Sequence, residues 1–134
     1  KRIDEDLQLE RTKSNGNKIL LDNTSKPDSK GVSPMESVLM AVAGCSGIDI
    51  VSILKKQRQE IKSFSAEVEG DRIQIGDEKP FKNIMVRFYL TGVVDIKKAF
   101  KAAELSFEKY CSVSKTLEPN VKVDWEVFVN GEKA

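Results

Sequence analysis

The chain has no histidine, only two cysteines and almost no net charge: 22 Lys plus Arg stand against 21 Asp plus Glu, a formal +1 over 134 residues. Without imidazole, Ser-His-Asp and Cys-His catalysis and the HExxH zinc site are excluded unless a second chain supplies the ring. Two thiols cannot complete a four-thiolate zinc site. Hard chemistry is left to thiols, carboxylates, hydroxyls, Lys and Arg. Balanced charge argues against a nucleic-acid binder, which carries a basic excess on one face. The only tight basic cluster, Lys55, Lys56 and Arg58, closes a long apolar segment, where cations complement a helix C-terminus. Residues 1–10 are charged and lack the apolar run of a signal peptide. We expect a cytoplasmic protein, whose cysteines are normally reduced and whose cysteine pair is of more interest as redox chemistry than as a staple.

The length and the 40% hydrophobic content suit one domain, 1–134. Leu7, Leu9 and Arg11 alternate with polar residues. After the turn formers Ser14-Asn15-Gly16-Asn17 comes Ile19-Leu20-Leu21, so residues 1–33 read as a strand hairpin followed by an exposed loop over 22–33. Ser33-Pro34-Met35-Glu36 combines an N-cap, proline at the first helical position and glutamate three residues after the cap, the signature of a capping box. A central helix is predicted over 34–60. It is apolar nearly all round, which requires burial on most sides. Asp49 near its middle and an apolar run of only 17 residues favour a core helix over a bilayer span of roughly 20. Ala41, Ala43, Gly44, Ser46 and Gly47 are small enough for a second backbone to approach, which predicts that two copies of this helix pack in a homodimer.

The rest, 61–134, reads as ββαβ. Phe64, Ala66, Val68 and Gly70, then Ile84, Val86, Phe88 and Leu90, alternate as an antiparallel pair. Asp95 caps a helix that carries Ile96, Ala99, Phe100 and Ala103 inward and ends near Tyr110. Val121, Val123, Trp125, Val127 and Val129 form a closing half-buried strand. The order is ββαββαβ, an α+β domain.

Cys45 lies in the middle of the central helix, and Cys111 follows the second helix, 66 residues later. Either can serve as a small buried hydrophobe. If they meet, a peroxide can oxidise one to sulfenic acid, and the other can condense with it to a disulfide. Such a thiol needs a cation, a hydrogen-bond donor or a helix N-terminus beside it. Asp49, four residues after Cys45, shares its helical face. Its carboxylate belongs either to catalysis or to a pairing with another group, including one from a partner chain.

The segment from Ser33 to Lys56, with Ala43-Gly44-Cys45-Ser46-Gly47 at its centre, resembles the central-helix signature of the OsmC/Ohr family, osmotically inducible and organic hydroperoxide resistance proteins. Tyr110-Cys111-Ser112-Val113-Ser114 resembles the family's second-cysteine motif. The element order agrees along nearly the whole chain, and Pro34-Met35-Glu36 is similar to the YhfA-like branch. The resemblance implies an intertwined homodimer with long central helices packed against β-sheets and a thiol site at the interface. By similarity Cys45 is the peroxidatic cysteine and Cys111 the resolving one. The implied reaction reduces organic hydroperoxides to alcohols, with electrons returned by an external cellular dithiol and no bound metal or organic cofactor. In the hydroperoxide reductases a glutamate directly after the proline, with an arginine from the N-terminal region, orients the thiolate. Here Met35 occupies that place and the carboxylate is Glu36, while Arg11 stands nearest the arginine's position. Three functions follow: a hydroperoxide reductase, a thiol sensor or small-molecule binding protein without turnover, and a dimeric scaffold with inert cysteines.

Overall fold

The computed structural model describes residues 9–12, as backbone, and 16–134. The described residues divide into two compact units, one up to Val38 and one from Leu39 to Ala134. In the first, strand β1 (Leu9–Thr12) pairs antiparallel with β2 (Lys18–Leu21), Leu9 opposite Leu21. Leu7, Ser14 and Asn15 of the expected hairpin lie outside the described residues. The following loop is less open than its composition suggests. It winds around Asp22, whose carboxylate accepts the backbone N–H groups of Asn23 (2.8 Å), Lys30 (2.7 Å) and Gly31 (3.3 Å). Only 7% of Asp22 is exposed, and these donors supply the partners that a buried carboxylate needs.

Helix α1 (Pro34–Lys56) starts where the capping box places it. Ser33 Oγ accepts the Glu36 N–H at 3.1 Å, and Glu36 Oε2 accepts the Ser33 N–H at 3.4 Å. The helix stops short of residue 60. Arg58 takes a left-handed φ of 59°, the Gln59 N–H reaches back to Leu54 O at 3.0 Å, and the Arg58 N–H reaches Lys55 O at 3.0 Å. This is a Schellman ending. With arginine where glycine usually stands, the sequence carries no stop signal there. The 23 residues span about 35 Å at ~1.5 Å each.

In the second unit a sheet runs in the order β3 (Glu60–Arg72), β4 (Phe81–Val93), β5 (Lys122–Val129), β6 (Glu132–Lys133). The β3/β4 pair is antiparallel, with Val68 opposite Val86, and β4/β5 is parallel, with Val86 opposite Trp125. A parallel pair needs a long crossover. Here it is α2 (Ile96–Leu105), a single π turn (Ser106–Tyr110) and α3 (Ser112–Leu117). The sequence reading merged α2 with the π turn and missed α3 and β6, which are too short to show a period.

The core lies on one face of this sheet. Ile84, Val86, Phe88 and Leu90 alternate inward along β4, each no more than 1% exposed. Against them α1 turns Val42, Ser46, Ile50 and Leu54, a stripe at four-residue steps that is fully buried. At Gly47 the helix comes close enough that an added Cβ would lie 3.1 Å from the Phe64 ring. α2 presents Ala99, Ala102 and Ala103, while Phe107 of the π turn packs between Phe88 (6.2 Å between centroids) and Trp125 (5.8 Å, stacked). The other face of the sheet is polar, with Arg87 paired to Glu69 at 2.9 Å. The expected burial of α1 on most sides is not met within one chain. Its far side is open, with Met40 54% and Ile48 69% exposed.

Candidate functional site: a thiol pair between two elements

Cys45 stands three turns into α1, beside the buried Ser46, and is half-buried. It is too far from the start of α1 to gain from the positive end of that helix's dipole, which fades within the first turn. Cys111 is 3% exposed and forms the N-cap of α3. Its sulfur accepts the Ser114 N–H at 3.5 Å, and Ser114 Oγ donates to the Cys111 carbonyl at 3.2 Å. Both cysteines are free, and they are near enough for the Cys45 thiol to influence the ionisation of Cys111. Cysteines 66 residues apart in the chain are thus neighbours in the fold.

Burial, the largest influence, lifts the Cys111 thiol above its ordinary value of 9.0. The donors of Ser114 pull it down, and the neighbouring Cys45 pushes it up again. Cys111 is thus held as a protonated thiol at neutral pH, enclosed behind the more accessible Cys45.

Asp49 lies one helical turn beyond Cys45, and its partner comes from the same chain. Ser106 Oγ donates to Asp49 Oδ2 at 2.8 Å. Ser106 is fully buried and opens the π turn, and its carbonyl accepts the Cys111 N–H at 2.7 Å. Sequence reasoning missed Ser106, although a signal existed. Ala99, Ala102, Ala103 and Ser106 continue one inward stripe at three- and four-residue steps, and a carboxylate on an apolar helix needs such a donor. Beside this contact a cleft of about 620 Å³ is lined by Asp49, Ser52, Ile53, Lys56, Gln57, Leu105 and Tyr110. On the open side of α1 a shallower apolar hollow of about 480 Å³ is lined by Gly44, Gly47, Ile48, Val51 and Phe64.

Glu36 spends one carboxylate oxygen on the Ser33 N–H in the capping box. Arg11 lies in β1 opposite Ile19, and its side chain is outside the described residues.

An α+β unit that holds two free thiols near each other, one on a long central helix and one at a helix cap within a parallel crossover, defines a class of thiol protein. Residues 27–126 match the OsmC-like protein family, and the chain belongs to it. It is 43% identical over 114 residues to the protein YhfA of Escherichia coli K12, a match covering 82% of this chain and 81% of that protein. A hypothetical protein from Aquifex aeolicus VF5 superimposes with a TM-score of 0.78 at 33% identity, over 96% of this chain and 93% of that one. The fold is also that of an organic hydroperoxide resistance protein OsmC from Legionella pneumophila, with a TM-score of 0.65 at 18% identity over 96% and 100% of the two chains.

Proposed function

We propose that this protein is a two-cysteine peroxidase that reduces organic hydroperoxides, with Cys45 as the peroxidatic and Cys111 as the resolving residue. The observation that carries the proposal is the nearness of two free thiols of unequal exposure, Cys45 half-buried and Cys111 3% exposed. The Cys45 thiolate attacks the outer peroxide oxygen. The O–O bond breaks, the alcohol leaves after taking up a proton, and Cys45 becomes a sulfenic acid. Cys111 then attacks the Cys45 sulfur, forming the S–S bond, and its proton leaves with the hydroxide as water. An external dithiol reduces the disulfide by two exchange steps and is itself oxidised to a disulfide. Ile53, Leu105 and Tyr110 in the cleft offer an apolar wall for the carbon part of the substrate. No residue here requires a metal or organic cofactor for this cycle.

The working unit in this reading is a homodimer. The open side of α1, with Met40, Ile48 and Val51 around the small Gly44, is the surface a second copy would cover. A reducing compartment such as the cytoplasm supplies the dithiol. A second reading, a thiol sensor without turnover, is favoured by the engagement of Glu36 in the helix cap, where its carboxylate accepts the Ser33 N–H.

One assay decides. Thiols and mass are followed while cumene hydroperoxide or hydrogen peroxide is added, and dithiothreitol is then supplied. Disulfide formation with alcohol release and repeated turnover supports the peroxidase, with cumene hydroperoxide the faster substrate. Oxidation of one equivalent without recycling supports the sensor. If neither thiol reacts faster than free glutathione, both readings fail.

A further inference from the structure

We infer that Asp49 and Ser106 are positioning residues that hold the two cysteine sulfurs in register for disulfide closure, an inference that rests on the redox reading of the pair. The two thiols belong to different elements, and four links close a ring between them. Cys45 and Asp49 are one turn apart on α1, and the Asp49 carboxylate receives the Ser106 hydroxyl at 2.8 Å. The Ser106 carbonyl receives the Cys111 N–H at 2.7 Å. The nearness of the two thiols completes the circuit. Ser106 thus joins both thiol-bearing elements, α1 through its hydroxyl and Cys111 through its carbonyl.

Stability alone does not call for this pair. Exchanging both partners of a buried hydrogen bond for apolar groups of the same shape is nearly neutral, and Ser106 continues a stripe of alanines. What a hydrogen bond adds is a preferred direction and length between the elements. A disulfide needs that, because its bond length, its dihedral angle and its Cα separation all fall in narrow ranges. Holding both thiols near that geometry raises their effective concentration toward each other.

The test uses equilibrium with glutathione, which does not depend on peroxide chemistry. The protein's two thiols lose two electrons and two protons to form one S–S bond, and one oxidised glutathione takes them up as two thiols. In the full chain, Asp49→Ala and Ser106→Ala are expected to lower this equilibrium constant about tenfold, raising the reduction potential by about 30 mV. Asp49→Asn, whose amide oxygen still accepts, and Ser106→Thr, which keeps the hydroxyl, are expected to stay at the wild-type value. Asp49 is half-buried, so Asp49→Ala carries the test even where loss of the buried Ser106 hydroxyl unfolds the chain. Alanine variants with the wild-type equilibrium constant would overturn the inference, as would conservative variants that fall as far as the alanines. If wild-type protein fails to reduce cumene hydroperoxide yet shows the predicted glutathione pattern, the peroxidase reading falls and the positioning role stands. The opposite outcome, turnover with unchanged equilibria in the variants, removes only the positioning role.

Discussion

Replacing Cys111 by serine separates the fold from the chemistry. Cys111 is 3% exposed, and its sulfur caps α3 through the Ser114 N–H at 3.5 Å, a long bond for a poor acceptor. Serine is among the preferred N-cap residues, worth about 1 kcal/mol over a residue that cannot cap. Against this stands the burial of a hydroxyl, about 1–3 kcal/mol if it were left unpaired. The Ser114 N–H pairs it, so the two effects nearly cancel and the expected stability change is within about 1 kcal/mol of zero. The chemical change is much larger. Without a resolving thiol the Cys45 sulfenic acid cannot close, and excess hydroperoxide drives it on to sulfinic acid. Urea unfolding measures the first quantity. Mass spectrometry after a single addition and then an excess of cumene hydroperoxide measures the second, as one and then two added oxygens with no intramolecular disulfide. Cys111→Ser turning over with dithiothreitol at the wild-type rate, without overoxidation, would refute the resolving role. A loss of more than about 3 kcal/mol would refute the capping argument.

The raised pKa of Cys111 gives a pH signature. With Cys45 held as a mixed disulfide with thionitrobenzoate, release of the coloured thiol should rise about tenfold per pH unit through pH 9.0, because the attacking thiolate is still the minor species there. A plateau below that pH would contradict it. The same shift makes the folded chain hold this proton more tightly than the unfolded chain. The stability it contributes is complete below the ordinary cysteine range and is lost as pH climbs from 9.0 through the folded value. Gly92→Ala should cost about 3 kcal/mol or more in urea unfolding. At its φ of 133° the new Cβ would lie 2.1 Å from the Glu60 carbonyl oxygen, which is backbone and cannot turn aside. Gly44→Leu tests the homodimer. Nothing lies within 4 Å of a Cβ at Gly44 in the single chain, so the variant should fold, helped by up to ~0.8 kcal/mol of helix propensity, yet sediment as a monomer. A persisting dimer would exclude a close α1 contact at that point.

The parts of this structure that were legible in the sequence are those written in local pattern. The Ser33-Pro34-Met35-Glu36 start of α1 and the two-residue alternation of β4 rest on capping and periodicity, which neighbouring residues state openly. The end of α1 was not legible, because Arg58 adopts a conformation that glycine would have advertised. The parallel pairing of β4 with β5 was also hidden, since alternation reveals a strand and not the direction of its neighbour. At the site, both cysteines could be named from the sequence, but their nearness is a product of the whole crossover. Asp49 was visible as a carboxylate in need of a partner. Ser106 continues the inward stripe of Ala99, Ala102 and Ala103, which marks a buried position but not the partner across the bond.

The π turn at Ser106–Tyr110 has a consequence for how this site could arise or be lost. A π turn is an α-helical turn with one residue more than the helix needs. Deleting a single residue between Ser106 and Cys111 would restore the ordinary ladder, with the cysteine N–H still on the Ser106 carbonyl as a four-residue bond. Deleting a second would find no spare residue and swing the thiol by about 100° around the axis. The stretch can therefore shorten by one residue and keep its aim, while a loss of two would silence the pair and leave both cysteines in the chain.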